Sequence, residues 1–203
     1  DETYQKLLRN INAGTYFAVF AAPPCSYVSV ARHFKCPHSR DGGPPPLRTR
    51  LQRNGIDGLN PHRRAELDRS SVIYQRTTDL LRAAHAAGAE FIMEHPADRG
   101  NRDQPHLFIT DEHCPIWLLD CVTALATACR ATTSTFAQCR FGAEVQKYTT
   151  LMYTSRLEAA LGPLDKLNCN HFSHASRAGG SINDGKWNSA QTAAYPANLN
   201  LTL

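Results

Sequence analysis

The stretch Thr15-Tyr16-Phe17-Ala18-Val19-Phe20-Ala21-Ala22-Pro23-Pro24-Cys25 decides the reading of the fold. Residues 15–21 are a continuous run of β-branched, aromatic and small apolar side chains, the pattern of a strand buried on both faces. Pro23 and Pro24 stop the run, because neither can donate to a ladder. Cys25 then stands at the carboxyl end of the strand, the edge at which open α/β sheets bind ligands.

Upstream, residues 2–12 place Leu7, Leu8 and Ile11 on one face of a short helix that Gly14 ends. Downstream, residues 35–70 are rich in Pro, Gly and Arg around Asp41–Pro46, which predicts a long loop. Ser70 or Ser71 is expected to cap the next helix. Ile73, Thr77, Leu80, Leu81 and Ala84 form its stripe, and Gly88 is its stop. Phe91–Met93 is a short buried strand that ends at Glu94-His95-Pro96. This strand–helix–strand order predicts a parallel neighbour for the first strand, so that Cys25 and Glu94 meet at one sheet edge. Trp117–Cys129 is a helix with Trp117 in the core. Ser134–Gln138 and Thr149–Thr154 are strands joined through a turn at Phe141-Gly142-Ala143. Residues 165–190 are irregular, and a short tail follows from Thr192 to Leu203.

The 203 residues fit one domain with an appendage, here a core of residues 1–164 and a small segment of residues 165–203. No run approaches the roughly 18 apolar residues of a membrane span, so no membrane partner is expected. The first residues lack a signal layout, and the seven cysteines are odd in number and irregular in spacing. Reduced thiols in the nucleus or cytoplasm are expected, not secretion. The chain does not start with Met, which suggests a piece of a longer protein with further domains. The net charge is only +4, but the arginines bunch at Arg48, Arg50, Arg53, Arg63, Arg64 and Arg69. Such a cluster fits a phosphate backbone, the alternative being a solvated loop.

Three groups of residues can carry chemistry. Cys25, held rigidly behind two prolines, is a candidate nucleophile; the bland alternative is a small hydrophobe. Glu94, directly after a buried strand, is a candidate acid; its alternative is a local ion pair with Arg99. Cys169-Asn170-His171-Phe172-Ser173-His174 offers three zinc ligands in six residues, and Cys36 with His38 forms a smaller pair. The spacing matches no common finger. A polar loop with chance histidines, or contact of His174 with a phosphate, is the other reading. Trp187 is either packed or stacked on a base.

Ala22-Pro23-Pro24-Cys25-Ser26 resembles the Pro-Cys nucleophile motif of cytosine-5 DNA methyltransferases. Glu94-His95-Pro96 resembles that family's Glu-Asn-Val motif. Gln138 to Lys147 resembles its later Tyr-Gly-Val segment, and the order along the chain agrees. Over most of its length the sequence is also similar to protist segments found beside reverse-transcriptase regions of mobile elements, which share a tail like Tyr195-Pro196. The resemblance implies an α/β fold with a mostly parallel, doubly wound, Rossmann-like sheet, incomplete at its N-terminal side. It implies Cys25 as the nucleophile for C6 of a flipped cytosine and Glu94 as the acid at N3 and the exocyclic amine. Lys147, or less favourably Arg140, takes the place of the family's positive residue. Ser26 and Arg32 fall on the mobile loop after the nucleophile. The implied cofactor is S-adenosylmethionine, yet the family's Gly-rich cofactor turn has no counterpart in residues 1–24.

The function expected is therefore that of a DNA cytosine-5 methyltransferase-like enzyme, with Ser26, Arg32, Arg48, Arg50, Arg53, Arg63 and Arg64 on nucleic acid, DNA rather than RNA. Two alternatives come from other classes. One is a catalytically inactive nucleic-acid-binding module of a mobile element. The other is a zinc-dependent hydrolase or nuclease centred on His171 and His174.

Overall fold

The computed structural model describes residues 1–34, 43–174, 182–183, 186–187 and 194–200. Cys36, His38 and the side chain of Trp187 lie outside the described residues. The elements, in order, are α1 (Glu2–Asn12), β1 (Ala18–Ala21), α2 (Pro61–Ala86), β2 (Glu90–Pro96), α3 (Asp120–Cys129), β3 (Thr132–Ala137) and β4 (Tyr148–Tyr153). A short α4 (Glu158–Leu161), a two-residue pair β5 (Ile182–Asn183) and β6 (Lys186–Trp187), and α5 (Ala197–Asn200) complete them.

The protein is a mixed α/β fold around a four-stranded open sheet of order β1-β2-β4-β3. β1 pairs parallel with β2, as the helical crossover requires. The mostly parallel sheet that the sequence suggests is corrected here: β4 lies antiparallel between β2 and β3, so most pairings are antiparallel. The connection from β3 to β4 is too short for a helical crossover, and the chain must double back. β4 does so in the slot beside β2. β1, β2 and β3 consequently share one direction and β4 opposes them.

The two faces of the sheet are covered differently. Phe91, Met93 and Met152 pack with Tyr74, Leu81, Val122 and Leu125 of α2 and α3. Leu151, Tyr153 and Phe136 pack on the other side with Leu161, Leu164 and Leu199. β1 is an open edge and not the doubly buried strand its composition suggests: Phe17 is 87% and Phe20 46% exposed. The strand buried along its whole length is β4.

α2 begins well before the expected Ser70 or Ser71 cap. Asn60 caps it by accepting from the Arg63 N–H at 2.9 Å, and Pro61 supplies a preset φ at its start. Ser70 and Ser71 donate to the Leu67 carbonyl inside the helix and accept from Arg48.

Arg50 organises the connection after β2. It donates to both oxygens of Asp98, at 2.8 and 2.9 Å, and to the His113 carbonyl at 3.1 Å. A Cβ on Gly100 would come within 2.7 Å of the Arg50 guanidinium and 2.9 Å of the His113 and Thr110 carbonyls, so glycine is required there. Burial raises the Asp98 pKa, but contacts with His113, Arg50 and the Gly100 amide outweigh it and hold the group at about 2. A carboxyl depressed in the folded state adds stability above its ordinary pKa and loses it as pH falls between about 4 and 2. Asp98→Asn is expected to cost about 2 kcal/mol at pH 7 and about half of that at pH 3, read by urea unfolding at both values. An equal loss at the two pH values would refute the assignment.

Candidate active site at the end of β1 and β2

The register of β1 on β2 pairs Ala21 with Met93. The chain beyond β1 therefore reaches Pro23, Pro24 and Cys25 beside Glu94. A 3-10 turn, Cys25–Tyr27, presents the thiol, and the Tyr74 hydroxyl donates to the Pro24 carbonyl at 2.9 Å to fix the approach. Cys25 reaches solvent at this edge, while the groups around it partly desolvate its thiol.

Glu94 lies within β2, not after it, and is 5% exposed. Strand alternation places it on the face of its register partner Leu151, opposite Met93 and His95. Tyr195 donates its hydroxyl to Glu94 Oε2 at 2.8 Å, and Lys147 Nζ stands 3.8 Å from Oε1. The same ammonium lies 5.6 Å from the centre of the Tyr195 ring, in cation–π range. Oε1 is buried and accepts no hydrogen bond within the described residues. The local alternative, a Glu94–Arg99 pair, does not form; Arg99 lies over the Tyr148 ring.

The electrostatics join these groups. Burial pushes the Cys25 thiol above its ordinary pKa, the Lys147 charge pulls it down, and the Glu94 charge pushes it up. Burial and Glu94 together raise the Tyr195 hydroxyl strongly, so it remains a donor. His95 is buried on the opposite face between the rings of Tyr74 and Trp117. Burial, assisted by the Lys147 charge, pushes it down to about 3, which keeps the imidazole neutral.

Cys25, Glu94 and Lys147 thus converge, and Tyr195 joins them from a distant stretch. The expected phosphate ligands do not gather with them. Arg32 is buried and fixes the chain after Cys25 rather than riding on a mobile loop. It donates to the Ser26 carbonyl at 2.6 Å and the Pro45 carbonyl at 3.0 Å, and pairs with Glu66. Arg63 donates to the other Glu66 oxygen at 2.8 Å. Arg48 is buried against Ser70, Ser71 and the Tyr74 ring. Arg50 is committed to Asp98. These side chains are turned inward because carboxylates and hydroxyls from α2 and the β2 connection satisfy them. Ser26, Arg53 and Arg64 are exposed.

A second cluster lies beyond the end of β3. Cys169, His171 and His174 come together, and Cys139 joins them from the 3-10 turn Gln138–Phe141. Burial and the neighbouring Cys169 raise Cys139 to about 11. Burial would also raise Cys169, but hydrogen bonds from Gln146, His171 and Cys139 bring it to about 7.

The Gly-rich cofactor turn that the resemblance implies has no counterpart among the described residues before β1. The segment before β1 folds as α1 and a turn, with no strand and no Gly-rich loop pointing at Cys25. No helix among the described residues is long and apolar enough to cross a membrane. No protein-family model, curated protein or solved structure matches the chain.

The opposed influences on Cys25 give a direct test. Below the thiol pKa, alkylation by iodoacetamide follows the thiolate fraction, about tenfold per pKa unit. Glu94→Gln removes the raising charge and is expected to speed labelling of Cys25 at pH 8. Lys147→Met removes the lowering charge and is expected to slow it. Unchanged or reversed rates, read by peptide mass spectrometry, would separate these groups electrostatically.

Proposed function

We propose that this site performs covalent chemistry on a pyrimidine base of nucleic acid, in the manner of cytosine-5 methyltransferases, with Cys25 as nucleophile and Glu94 as base-recognising acid. The observation that carries the reading is the convergence of Cys25, Glu94, Lys147 and Tyr195, with Glu94 Oε1 buried, 3.8 Å from the Lys147 ammonium and accepting no hydrogen bond among the described residues. Buried polar atoms are almost always hydrogen-bonded, and an oxygen held only by a longer ion pair can still accept from an incoming donor. The exocyclic amine of cytosine is such a donor. The parallel β1–β2 pair supports reading the sheet as part of a doubly wound, Rossmann-like one.

The base must first leave its stack. The Cys25 thiolate then adds to C6, forming a C6–S bond as the C5–C6 π pair moves toward C5. A proton shared between Glu94 and N3 offsets the charge that develops on the ring. Lys147 favours the thiolate and Tyr195 steadies the carboxylate. C5 takes a proton from solvent and later surrenders its original hydrogen, and loss of the thiolate restores the aromatic ring. This cycle balances without a cofactor. Of the arginines expected on nucleic acid, Arg53 and Arg64 are exposed and can reach a phosphate backbone, DNA being preferred to RNA on the resemblance.

A second reading, a nucleic-acid-binding module of a mobile element without turnover, draws on one observation. Tyr195 and Lys147 already engage the Glu94 carboxylate, so the pocket closes on itself. Solvent exchange at cytosine C5 separates the two. Incubated in D2O with a cytosine-containing single-stranded oligonucleotide, the chain is expected to place deuterium at C5. Cys25→Ser is expected to abolish exchange, and Glu94→Gln to slow it by about 10²-fold or more. No exchange by a chain that still binds the oligonucleotide would leave the module.

A further inference from the structure

We propose that Cys139, Cys169, His171 and His174 bind one zinc ion in a closed structural site that staples the chain after α4 to the turn after β3. Each of the four side chains offers one ligand atom, and these atoms all lie within 4.8 Å of one another. Cys169 Sγ is 3.7 Å from His171 Nδ1 and 3.5 Å from His174 Nε2. With Zn–S of about 2.3 Å and Zn–N of about 2.05 Å, a tetrahedral ion sets its S···N edges at about 3.5–3.6 Å. Both S···N separations from Cys169 match those edges, and every other pair of ligand atoms lies within 4.8 Å. Two thiols with two imidazoles form a donor set that suits zinc over hard cations.

Ordinary protein contacts bring the ligands together. The Ala137 N–H donates to the Leu167 carbonyl at 2.9 Å, and the Cys169 N–H donates to the Tyr148 hydroxyl at 3.1 Å. Asp165 accepts from the Thr135 N–H at 2.8 Å. Residues 165–169 are thereby laid along β3 until Cys169 meets Cys139. Cys139 is buried and His171 exposed, so the site sits at the surface with one thiol rooted in the core.

Four protein donors complete the tetrahedron and leave no position for a reactive water, which separates this site from a hydrolytic zinc. Its consequence is positional. The Gln138 N–H donates to the Lys147 carbonyl at 2.8 Å, and α5, which follows Tyr195, packs on the Gln138–Phe141 turn. The ion would stiffen a turn that is hydrogen-bonded to Lys147 and packed by the helix after Tyr195, the two partners of Glu94. The assignment stands apart from any chemistry at Cys25.

Cobalt(II) titration of the full chain, purified under reducing conditions, tests it. The expected result is about one equivalent bound, with the intense visible d–d bands of a tetrahedral ion and thiolate-to-cobalt charge transfer, bleached by zinc. Cys139→Ser is expected to lose the charge-transfer intensity of one thiolate and to weaken binding at least about tenfold. His171→Gln, on an exposed side chain, is expected to weaken it similarly while the fold is retained, and Cys25→Ser to leave it unchanged. A wild-type chain without a tetrahedral spectrum overturns the proposal. So does a folded His171→Gln chain that binds cobalt as wild type does.

Discussion

β2 is hydrogen-bonded on both sides, and that constraint governs the molecule. A strand held between β1 and β4 has no freedom over which side chains face which way. Phe91, Met93 and His95 must enter the layer beneath α2 and α3, and Glu90, Ile92 and Glu94 must enter the opposite layer. The register thus buries two carboxylates on one strand, each of which must be compensated. β4 supplies the compensation from both of its ends. Thr154 and Arg156, just after it, serve Glu90, while Lys147, just before it, serves Glu94. A slip of one residue would bring both carboxylates into the apolar layer and deprive both cations of partners. The polar pairs therefore specify the register that the apolar residues stabilise.

Much of this was legible locally. α1, the body of α3, the β3–β4 hairpin and the meeting of Cys25 with Glu94 follow from periodicity, breakers and the crossover rule. The misreadings share a cause, which is that composition reports what a side chain is and not who its partner is. Thr15–Ala21 is the more apolar run, yet it becomes the edge strand, while Tyr148–Tyr153, with its two threonines, becomes fully buried. Arg48, Arg50 and Arg63 look like part of a phosphate-binding cluster until Ser70, Asp98 and Glu66 take up their guanidinium groups. Asn60-Pro61 is a clear helix start hidden in a stretch whose prolines and glycines suggest only loop. Tyr195 and Cys139 had no local signal as site residues, since each acts on a group that another element delivers.

The turn Gln138–Phe141 joins the two clusters. A single 3-10 turn has few hydrogen bonds of its own, so its shape is set by what is attached to it. Four attachments are visible. Its first N–H holds the Lys147 carbonyl, and the Gln138 side chain donates to Thr149 at 2.7 Å. Cys139 faces the cysteine–histidine cluster, and Phe141 packs edge-on against Phe136 at 5.5 Å. Lys147 and Cys139 are therefore two readouts of one backbone geometry. The Gln138 N–H to Lys147 carbonyl bond ties the residue before Cys139 to the cation beside the buried carboxylate of Glu94. The cysteine–histidine cluster and the Cys25–Glu94 site therefore both rest on this turn, although they share no residue.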